Sequence, residues 1–347
     1  MFGTRPTVSI IIKALNEERH IAAAIESALA SLDGMRGEVI LADSASTDRT
    51  VAIAANYPIK IVSLASIADR SCGAGVQLGF QYSAGDYVCL IDGDMRLYPQ
   101  FLSAAIAFLK QHPDFAGVGG MIIERETGNF EYVKRASAAD FDRLPGEVTR
   151  LDCGGLYRRA AVEAAGYLGD RNLQGGEELE LGVRLHALGW RLARIAVPAI
   201  DHYGHAGNPY ALLRRRWATR FAFARGQLLR ATFNRDSFPL VLRKLRRELF
   251  LFAAVHLWWL SLLVVPFVPG NLVAAAAAFT AIALFPFIAM SIRSRSVGIG
   301  LYSVTAWNVY AAGLWPGLFG RRADPTRWIE SVVLREAVPS DNRVTAA

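Results

Sequence analysis

The sequence predicts an α/β domain, with a mostly parallel sheet and helices on both faces, followed by transmembrane or interfacial helices. In residues 1–200, short apolar runs alternate with segments of helical periodicity. Residues 209–250 are strongly basic, and three apolar runs without a formal charge follow them. The length of 347 residues fits about two domains. A content of 52% hydrophobic and 20% charged residues argues against a disordered chain.

The first 200 residues contain four apolar runs that read as strands, each followed by apolar side chains at helical spacing. The predicted strands are 8–12, 39–42, 59–64 and 87–91. The predicted helices are 19–32, 50–56, 73–83 and 100–111. Strands that are apolar throughout and joined by helices form parallel sheets covered on both faces. Further along, 149–152 reads as a strand and 177–188 as a helix.

The cysteines and the charges restrict the class of protein. Cys72, Cys89 and Cys153 are widely spaced and form no CxxC or Cys/His pattern, which argues against a disulfide scaffold or a structural zinc site. Residues 209–250 carry eleven Lys and Arg against two acidic residues, a net charge of +9 that leaves −2 for the rest. Such a block favours an anionic surface. Because its arginines precede long apolar runs, we expect phospholipid and no nucleic acid.

The three apolar runs are 249–268, 271–290 and 297–319. A helix of twenty residues spans about 30 Å, the thickness of the hydrocarbon core of a bilayer. Buried core helices are the alternative, but several tryptophans within the runs favour membrane insertion. If the third run crossed, the arginines that follow it would lie outside, against the positive-inside rule. We therefore expect two spans and a third segment that is a span, a re-entrant hairpin or an interfacial helix.

These features divide the chain into four predicted parts. They are a cytosolic domain at 1–208, a basic amphipathic interface segment at 209–248, a transmembrane region at 249–320 and a polar tail at 321–347. The N-terminus does not read as a signal peptide, because an apolar strand begins at once. The basic residues before Leu249 agree with a cytosolic first domain. The predicted location is the cell (inner) membrane, with the first domain in the cytoplasm.

Polar side chains follow each of the four predicted strands. The clusters are Asn16-Glu17, Asp43 to Asp48, Asp69-Arg70 and Asp92-Gly93-Asp94. Ligands of such sheets bind at the carboxyl ends of the strands. Two carboxylates on either side of a glycine suit Mg²⁺ or Mn²⁺, which typically bridges to phosphate oxygens. An Asp-Gly turn is the alternative for the last cluster.

Four segments resemble the motifs of family 2 glycosyltransferases and occur in the same order. They are 8–18 (VSIIIKALNEE), 43–50 (DSASTDRT), 79–94 (GFQYSAGDYVCLIDGD) and 176–181 (GEELEL) followed by Arg184. The resemblance covers roughly residues 6–220 and is specific for the family, not for a substrate. It implies a GT-A fold, a UDP- or GDP-linked sugar donor, a divalent cation (Mg or Mn) and inversion at the anomeric carbon. The chain would be a membrane-anchored, bacterial-type member.

The resemblance also implies roles for individual residues. Glu178 would be the general base, although the usual residue there is Asp. The residues that bind the nucleotide sugar would be Asn16, Glu17, Asp43, Asp69, Arg70 and Asp92. The metal ligands would be Asp94, Asp92 and either His202 or His205. The acceptor or the diphosphate would meet Cys153, Gly154, Gly155, Glu177, Arg216 and Trp217.

Some of these residues have simpler explanations. Glu177 and Glu178 both lean towards the apolar face of the predicted helix, and spacing does not choose between them. Acidic residues also favour the first turn of a helix. Arg216 and Trp217 stand where polymer-forming members carry Gln-x-x-Arg-Trp, but the Gln is missing. Interfacial lipid binding explains this pair equally well, and processive polymerisation is not expected.

The sequence thus predicts an inverting glycosyltransferase that passes a sugar to a lipid-linked or polysaccharide acceptor at the membrane. A sugar nucleotidyltransferase is one alternative. It would need a glycine-rich, basic loop after the first strand, where this chain has Asn16-Glu17-Glu18. A catalytically inactive GT-A membrane scaffold is the other, and carboxylates at all four strand ends disfavour it.

Overall fold

The computed structural model describes residues 8–125, 144–204 and 207–337. These residues form two compact units. The first unit contains the described residues up to 204 together with 321–337, and the second contains 207–320.

The first unit is built on a mixed, mostly parallel sheet. β1 (Val8–Ala14) pairs in parallel with β2 (Gly37–Asp43) on one side and with β4 (Tyr87–Asp92) on the other. β2 pairs in parallel with β3 (Lys60–Leu64). The apolar residues of these strands are buried, as expected of parallel strands covered on both faces. The carboxyl ends of all four strands therefore lie at one edge, and the four predicted strands are present.

Beyond β4 the sheet becomes mixed. β8 (Gly155–Arg158) pairs antiparallel with β4 and with β6 (Phe115–Glu124). β6 runs parallel to β9 (Arg191–His202). The short strands β5 (Met95–Leu97) and β7 (Gly146–Val148) both pair antiparallel with β9. This half of the sheet brings the end of β9 next to the segment that follows β4.

Helices cover the sheet. They are α1 (Ile21–Ser31), α2 (Thr50–Ala54), α3 (Cys72–Gln81), α4 (Pro99–Gln111), α5 (Arg159–Ala164) and α6 (Glu177–Ala187). The buried residues of α1 recur at the spacing that predicted it. At Gly79 of α3, an added Cβ would lie 2.2 Å from Cγ2 of Ile11, so a glycine is required for the helix to approach β1.

Two segments differ from the sequence predictions. Residues 149–152 do not form a strand, because Asp152 has a left-handed backbone with φ of +54°. They form the turn between β7 and β8. The described part of the predicted polar tail contains a strand that the sequence analysis did not predict. Its β10 (Ser331–Arg335) pairs antiparallel with β3 and adds an edge strand to the sheet.

The second unit is helical in its described residues. Its helices are α7 (Pro209–Ala218), α8 (Ala224–Thr232), α9 (Phe238–Val264), α10 (Leu272–Ser294) and α11 (Val297–Phe319). Two segments are long and apolar enough to cross a membrane: the 30 residues Phe238–Phe267 and the 23 residues Leu272–Ser294. α10 has no buried residue although its sequence is almost entirely apolar.

Candidate active site

The loops that follow β1 and β2 are tied together by the predicted donor-binding residues. Asn16 has a left-handed backbone, and its Oδ1 accepts the backbone N–H of Thr47 at 2.8 Å. Its own N–H donates to Oγ of Ser46 at 2.9 Å. The carboxylate of Asp43 is 1% exposed and accepts hydrogen bonds from Ser63 at 2.7 Å and from the N–H of Ser46 at 3.1 Å. These bonds fix both loops before any ligand binds.

The segment after β3 is fixed to the same loops. Nε of Arg70 donates to the carbonyl of Ser44 at 2.8 Å, and Nη2 donates to the carbonyl of Ala45. Asp69 forms an ion pair of 3.0 Å with Arg171. The structure therefore brings Arg70 to the loop after β2, where its guanidinium holds the backbone.

The end of β4 closes on the end of β1. The N–H of Gly93 donates to the carbonyl of Lys13 at 2.9 Å. A Cβ at position 93 would lie 2.9 Å from Cγ of Glu17, so a larger residue would displace Glu17. The glycine between Asp92 and Asp94 is therefore needed for the close approach of this turn to Glu17.

A lysine whose side chain is 14% exposed, and which the sequence analysis did not single out, connects two of the predicted residues. Nζ of Lys13 lies 2.7 Å from Oε1 of Glu177 and 3.3 Å from Oδ1 of Asp92. Burial lowers the pKa of Lys13, but the charges of Asp92 and Glu177 outweigh it and raise the pKa well above its ordinary value. Lys13 is therefore charged and balances these carboxylates. The signal in the sequence was a lysine inside a strand buried on both faces.

Glu178 differs from its neighbour Glu177 in its surroundings. Glu177 is 3% exposed and ion-paired with Lys13, which leaves it no room for the predicted contact with an acceptor. Glu178 is half-buried, and its Oε1 lies 3.3 Å from Sγ of Cys153. Burial and then the charge of Glu177 raise the pKa of Glu178 to about 7. A carboxyl group with this pKa accepts a proton readily near neutral pH.

Cys153 lies between the candidate base and the end of β4. Its Sγ is 3.2 Å from Oδ1 of Asp92 as well as 3.3 Å from Oε1 of Glu178. Burial raises the pKa of this thiol well above its ordinary value, and the negative charge of Asp92 adds to the effect. The thiol is therefore neutral and acts as a hydrogen-bond donor, not as a nucleophile.

Asp92 pairs with Lys13, whereas the neighbour of Asp94 is a histidine. Nε2 of His202 lies 3.5 Å from Oδ2 of Asp94, and Nδ1 is hydrogen-bonded to Oε2 of Glu124. Burial lowers the pKa of His202, but hydrogen bonds to Asp94 and Glu124 outweigh it and raise the pKa to about 10. A carboxylate that orients one nitrogen of an imidazole while the other faces a second carboxylate is a typical environment for a metal ion.

Asp94 and His202 therefore fit as two ligands of Mn²⁺ or Mg²⁺, and a cation bound there would replace the proton of the imidazole. No group of three or more His, Cys, Asp or Glu side chains in the described parts of the chain forms a complete metal site. Such a partial shell suits a cation whose other ligands are phosphate oxygens and water. His205, the other predicted histidine, lies outside the described residues.

The glycines predicted to meet the acceptor serve packing instead. Gly154 has a φ of +91°, and its Cβ would lie 2.3 Å from Cγ1 of Ile200. A Cβ on Gly155 would lie 2.7 Å from Cδ1 of Leu151. The space beside both glycines is thus filled by the protein's own side chains.

Arg216 and Trp217 lie on α7, in the second unit. The guanidinium of Arg216 donates to the hydroxyl of Tyr310 and lies 5.1 Å from the ring centroid of Phe221. Trp217 is 45% exposed. Their surroundings within this unit are apolar helices, and the described contacts give no support for a role at the diphosphate.

Lys13→Met is expected to destabilise the fold by about 3–5 kcal/mol, because it leaves Glu177 buried without its counter-charge. The free energy of unfolding in urea measures the change. Lys60→Met is the matched control, since Lys60 pairs at 3.4 Å with Glu336, whose side chain is 72% exposed. Such a pair contributes at most about 1 kcal/mol. Equal losses in the two variants would contradict the buried role of Lys13.

Comparison with known proteins decides the family. The model of the family described as Glycosyl transferase family 2 matches residues 9–166. EpsE of Bacillus subtilis (strain 168), a protein named as a glycosyltransferase, is 32% identical over 196 residues, which cover 54% of this chain and 69% of that protein. The chain belongs to glycosyl transferase family 2.

One further relative and one solved structure are similar to this family 2 glycosyltransferase. The undecaprenyl-phosphate 4-deoxy-4-formamido-L-arabinose transferase of Pectobacterium carotovorum is 32% identical over 117 residues, 32% of this chain and 36% of that protein. The mannosyltransferase PcManGT from Pyrobaculum calidifontis, solved with GDP-Man and Mn²⁺, superposes with a TM-score of 0.62 at 17% identity. The superposition covers 92% of this chain and 89% of that one. The predicted GT-A fold is confirmed.

Proposed function

We propose that this glycosyltransferase is an inverting, metal-dependent hexosyltransferase that uses a UDP- or GDP-linked sugar. The observation that carries the proposal is the difference between Glu177 and Glu178. Lys13 neutralises Glu177, and Glu178 remains as a half-buried carboxylate with its pKa raised to about 7. One such base is what a single displacement with inversion requires.

Donor binding is assigned to the loops at the carboxyl ends of β1 to β4. The residues are Asn16, Glu17, Asp43, Asp69, Arg70 and Asp92. The hydrogen bonds that fix these loops support this assignment, because a site that is ordered in advance loses little entropy when the nucleotide binds. The PcManGT complex with GDP-Man and Mn²⁺ has the same fold, which supports a sugar nucleotide and a divalent cation in this protein as well.

The reaction follows from these positions. As the acceptor oxygen attacks the anomeric carbon, Glu178 accepts the proton of the acceptor hydroxyl. The bond between that carbon and the diphosphate oxygen breaks, and its electron pair leaves with the nucleoside diphosphate. The sugar is inverted and the proton stays on Glu178. A divalent cation held by Asp94 and His202 would offset the charge that develops on the diphosphate.

We assign the acceptor to a lipid-linked or polysaccharide molecule at the membrane. The charge-free segment 249–267, which comprises the second part of α9 and the helical turn after it, is about 28 Å long, and α10 is longer, so each matches a bilayer. Eleven Lys and Arg precede the first of them, which by the positive-inside rule favours a first unit in the cytoplasm at the inner membrane. The name of the Pectobacterium relative, an undecaprenyl-phosphate transferase, supports a lipid-linked acceptor.

A screen of nucleotide sugars with the detergent-purified chain tests the proposal. UDP- and GDP-sugars are supplied with Mn²⁺ or Mg²⁺ and a polyprenyl phosphate or oligosaccharide acceptor. We expect metal-dependent release of nucleoside diphosphate and a product of opposite anomeric configuration by NMR. Formation of a nucleotide sugar from a sugar phosphate and a nucleoside triphosphate would indicate a nucleotidyltransferase. Binding without turnover of any donor would indicate an inactive scaffold.

A further inference from the structure

Short helices that carry arginines contact α11, the third apolar run, over most of its length. Leu213 of α7 packs on Tyr302 and Ala306. At the other end, a Cβ on Gly317 of α11 would lie 3.0 Å from Cα of Gly226 in α8, so the two backbones are in close contact. These contacts extend from residue 302 to residue 317, about 22 Å along the helix axis.

Arginines of the covering helices bond directly to α11. The guanidinium of Arg216 donates to the hydroxyl of Tyr310, and Nη1 of Arg230 donates to the carbonyl of Leu318 at 3.4 Å. If α11 crossed the bilayer, these arginines and the helices that carry them would have to lie within the hydrocarbon. Such placement is costly for a guanidinium, which favours headgroups and water.

α11 also contacts the two candidate spans near their basic ends. Ala311 packs with Phe252 and Val255, which lie in the first two turns of the apolar part of α9. A Cβ on Gly300 would lie 2.3 Å from Oγ of Ser291, close to the end of α10. These ends adjoin Glu248 and Arg293, so the contacts put Gly300 and Ala311 near the charged ends, while the side chain of Trp259 reaches back to Asn308 from further along α9.

The chain that follows α11 returns to the first unit. β10 pairs with β3 of the sheet. The backbone of Ile329 exchanges two hydrogen bonds with the side chain of Gln81, at 2.8 and 3.3 Å. Arg322 forms an ion pair with the fully buried Asp170. A strand of the sheet must lie on the same side of the membrane as the rest of the sheet, so residues 207–320 cross the membrane an even number of times.

We propose that α9 and α10 form a membrane hairpin and that α11 does not cross but lies in the cytoplasmic interface. Exposed Trp315 and Phe319 of α11 then face the acyl chains. The exposed Arg214, Arg215 and Arg220 meet the phosphates of anionic phospholipids. This topology rests on the membrane attachment proposed above, and it gives the third apolar run an interfacial role.

Cysteine accessibility in the full chain tests the topology. Pro269→Cys reports the turn between α9 and α10, Arg293→Cys the end of α10, and Ala323→Cys the segment after α11; all three positions are exposed. The unsubstituted chain is the background control, because Cys89 and Cys153 are buried and Cys72 is half-buried. A membrane-impermeant maleimide is applied to intact cells and to permeabilised cells.

We expect only Pro269→Cys to react in intact cells, and the other two variants to react after permeabilisation. Reaction of Ala323→Cys from outside would show that α11 crosses and would overturn the proposal. Failure of Pro269→Cys to react from outside, with the chain still resisting alkaline extraction, would overturn the hairpin. Release of the whole chain by alkaline extraction would contradict membrane attachment itself, which is a separate result from a wrong topology.

Discussion

Glu178→Gln is expected to lower kcat for sugar transfer by about 10²–10⁴-fold and to leave binding of the sugar nucleotide unchanged. Glutamine keeps the shape of the side chain and its contact with Cys153 but cannot accept the proton of the acceptor. Initial rates of nucleoside diphosphate release with saturating donor and acceptor measure the loss. Donor affinity, measured separately, shows that the site is intact.

Glu163→Gln is the matched control, since this glutamate of α5 is 58% exposed at its side chain and forms an ion pair with Arg159 on the same helix. It should leave transfer unchanged.

In the unsubstituted enzyme, kcat/KM should fall as the pH drops below about 7, because only ionised Glu178 accepts a proton and its pKa is raised to about 7. Full transfer by Glu178→Gln would show that another group is the base.

Asp94→Asn should lower kcat/KM by at least about 10²-fold, because a neutral amide holds a divalent cation more weakly than a carboxylate, and the charge that develops on the diphosphate is then less well offset. The variant should also need a higher concentration of Mn²⁺ for half-maximal rate. Transfer rates measured across a Mn²⁺ titration separate the two effects. His202 would lose its carboxylate neighbour at 3.5 Å, which weakens the second ligand as well.

Asp114→Asn is the control for this change. Asp114 is 50% exposed at its side chain and pairs with Arg191 at 2.7 Å on the surface of the first unit. Both substitutions remove one negative charge, so any difference between them reports position and not net charge. If Asp94→Asn kept its full rate and its Mn²⁺ requirement, Asp94 would not be a metal ligand.

The parts of the fold that follow local patterns were accessible from the sequence. The strands around Ile10, Ile40, Val62 and Leu90 are mostly apolar and are followed by polar residues, which is the local signature of a buried parallel strand. Because parallel strands end at one edge, the polar clusters after them could be placed together before the structure was known.

Contacts between distant parts of the chain could not be predicted from local sequence patterns. Lys13 and Glu177 are 164 residues apart, and nothing local in either segment indicates that they pair. The same holds for β10, whose pairing with β3 depends on a return of the chain after the apolar helices. The choice between Glu177 and Glu178 depended on that pairing, so helical spacing alone left it open.

The central claim is that carboxylates from separate strand ends form one site for a cation and a sugar nucleotide. Calorimetric titration of UDP- and GDP-sugars into the purified chain, with Mn²⁺ and with a chelator, tests it directly. We predict binding that depends on Mn²⁺ and is weakened by both Asp43→Asn and Asp94→Asn. Binding of the same strength with chelator and in both variants, or no binding of any donor under any condition, would contradict the claim.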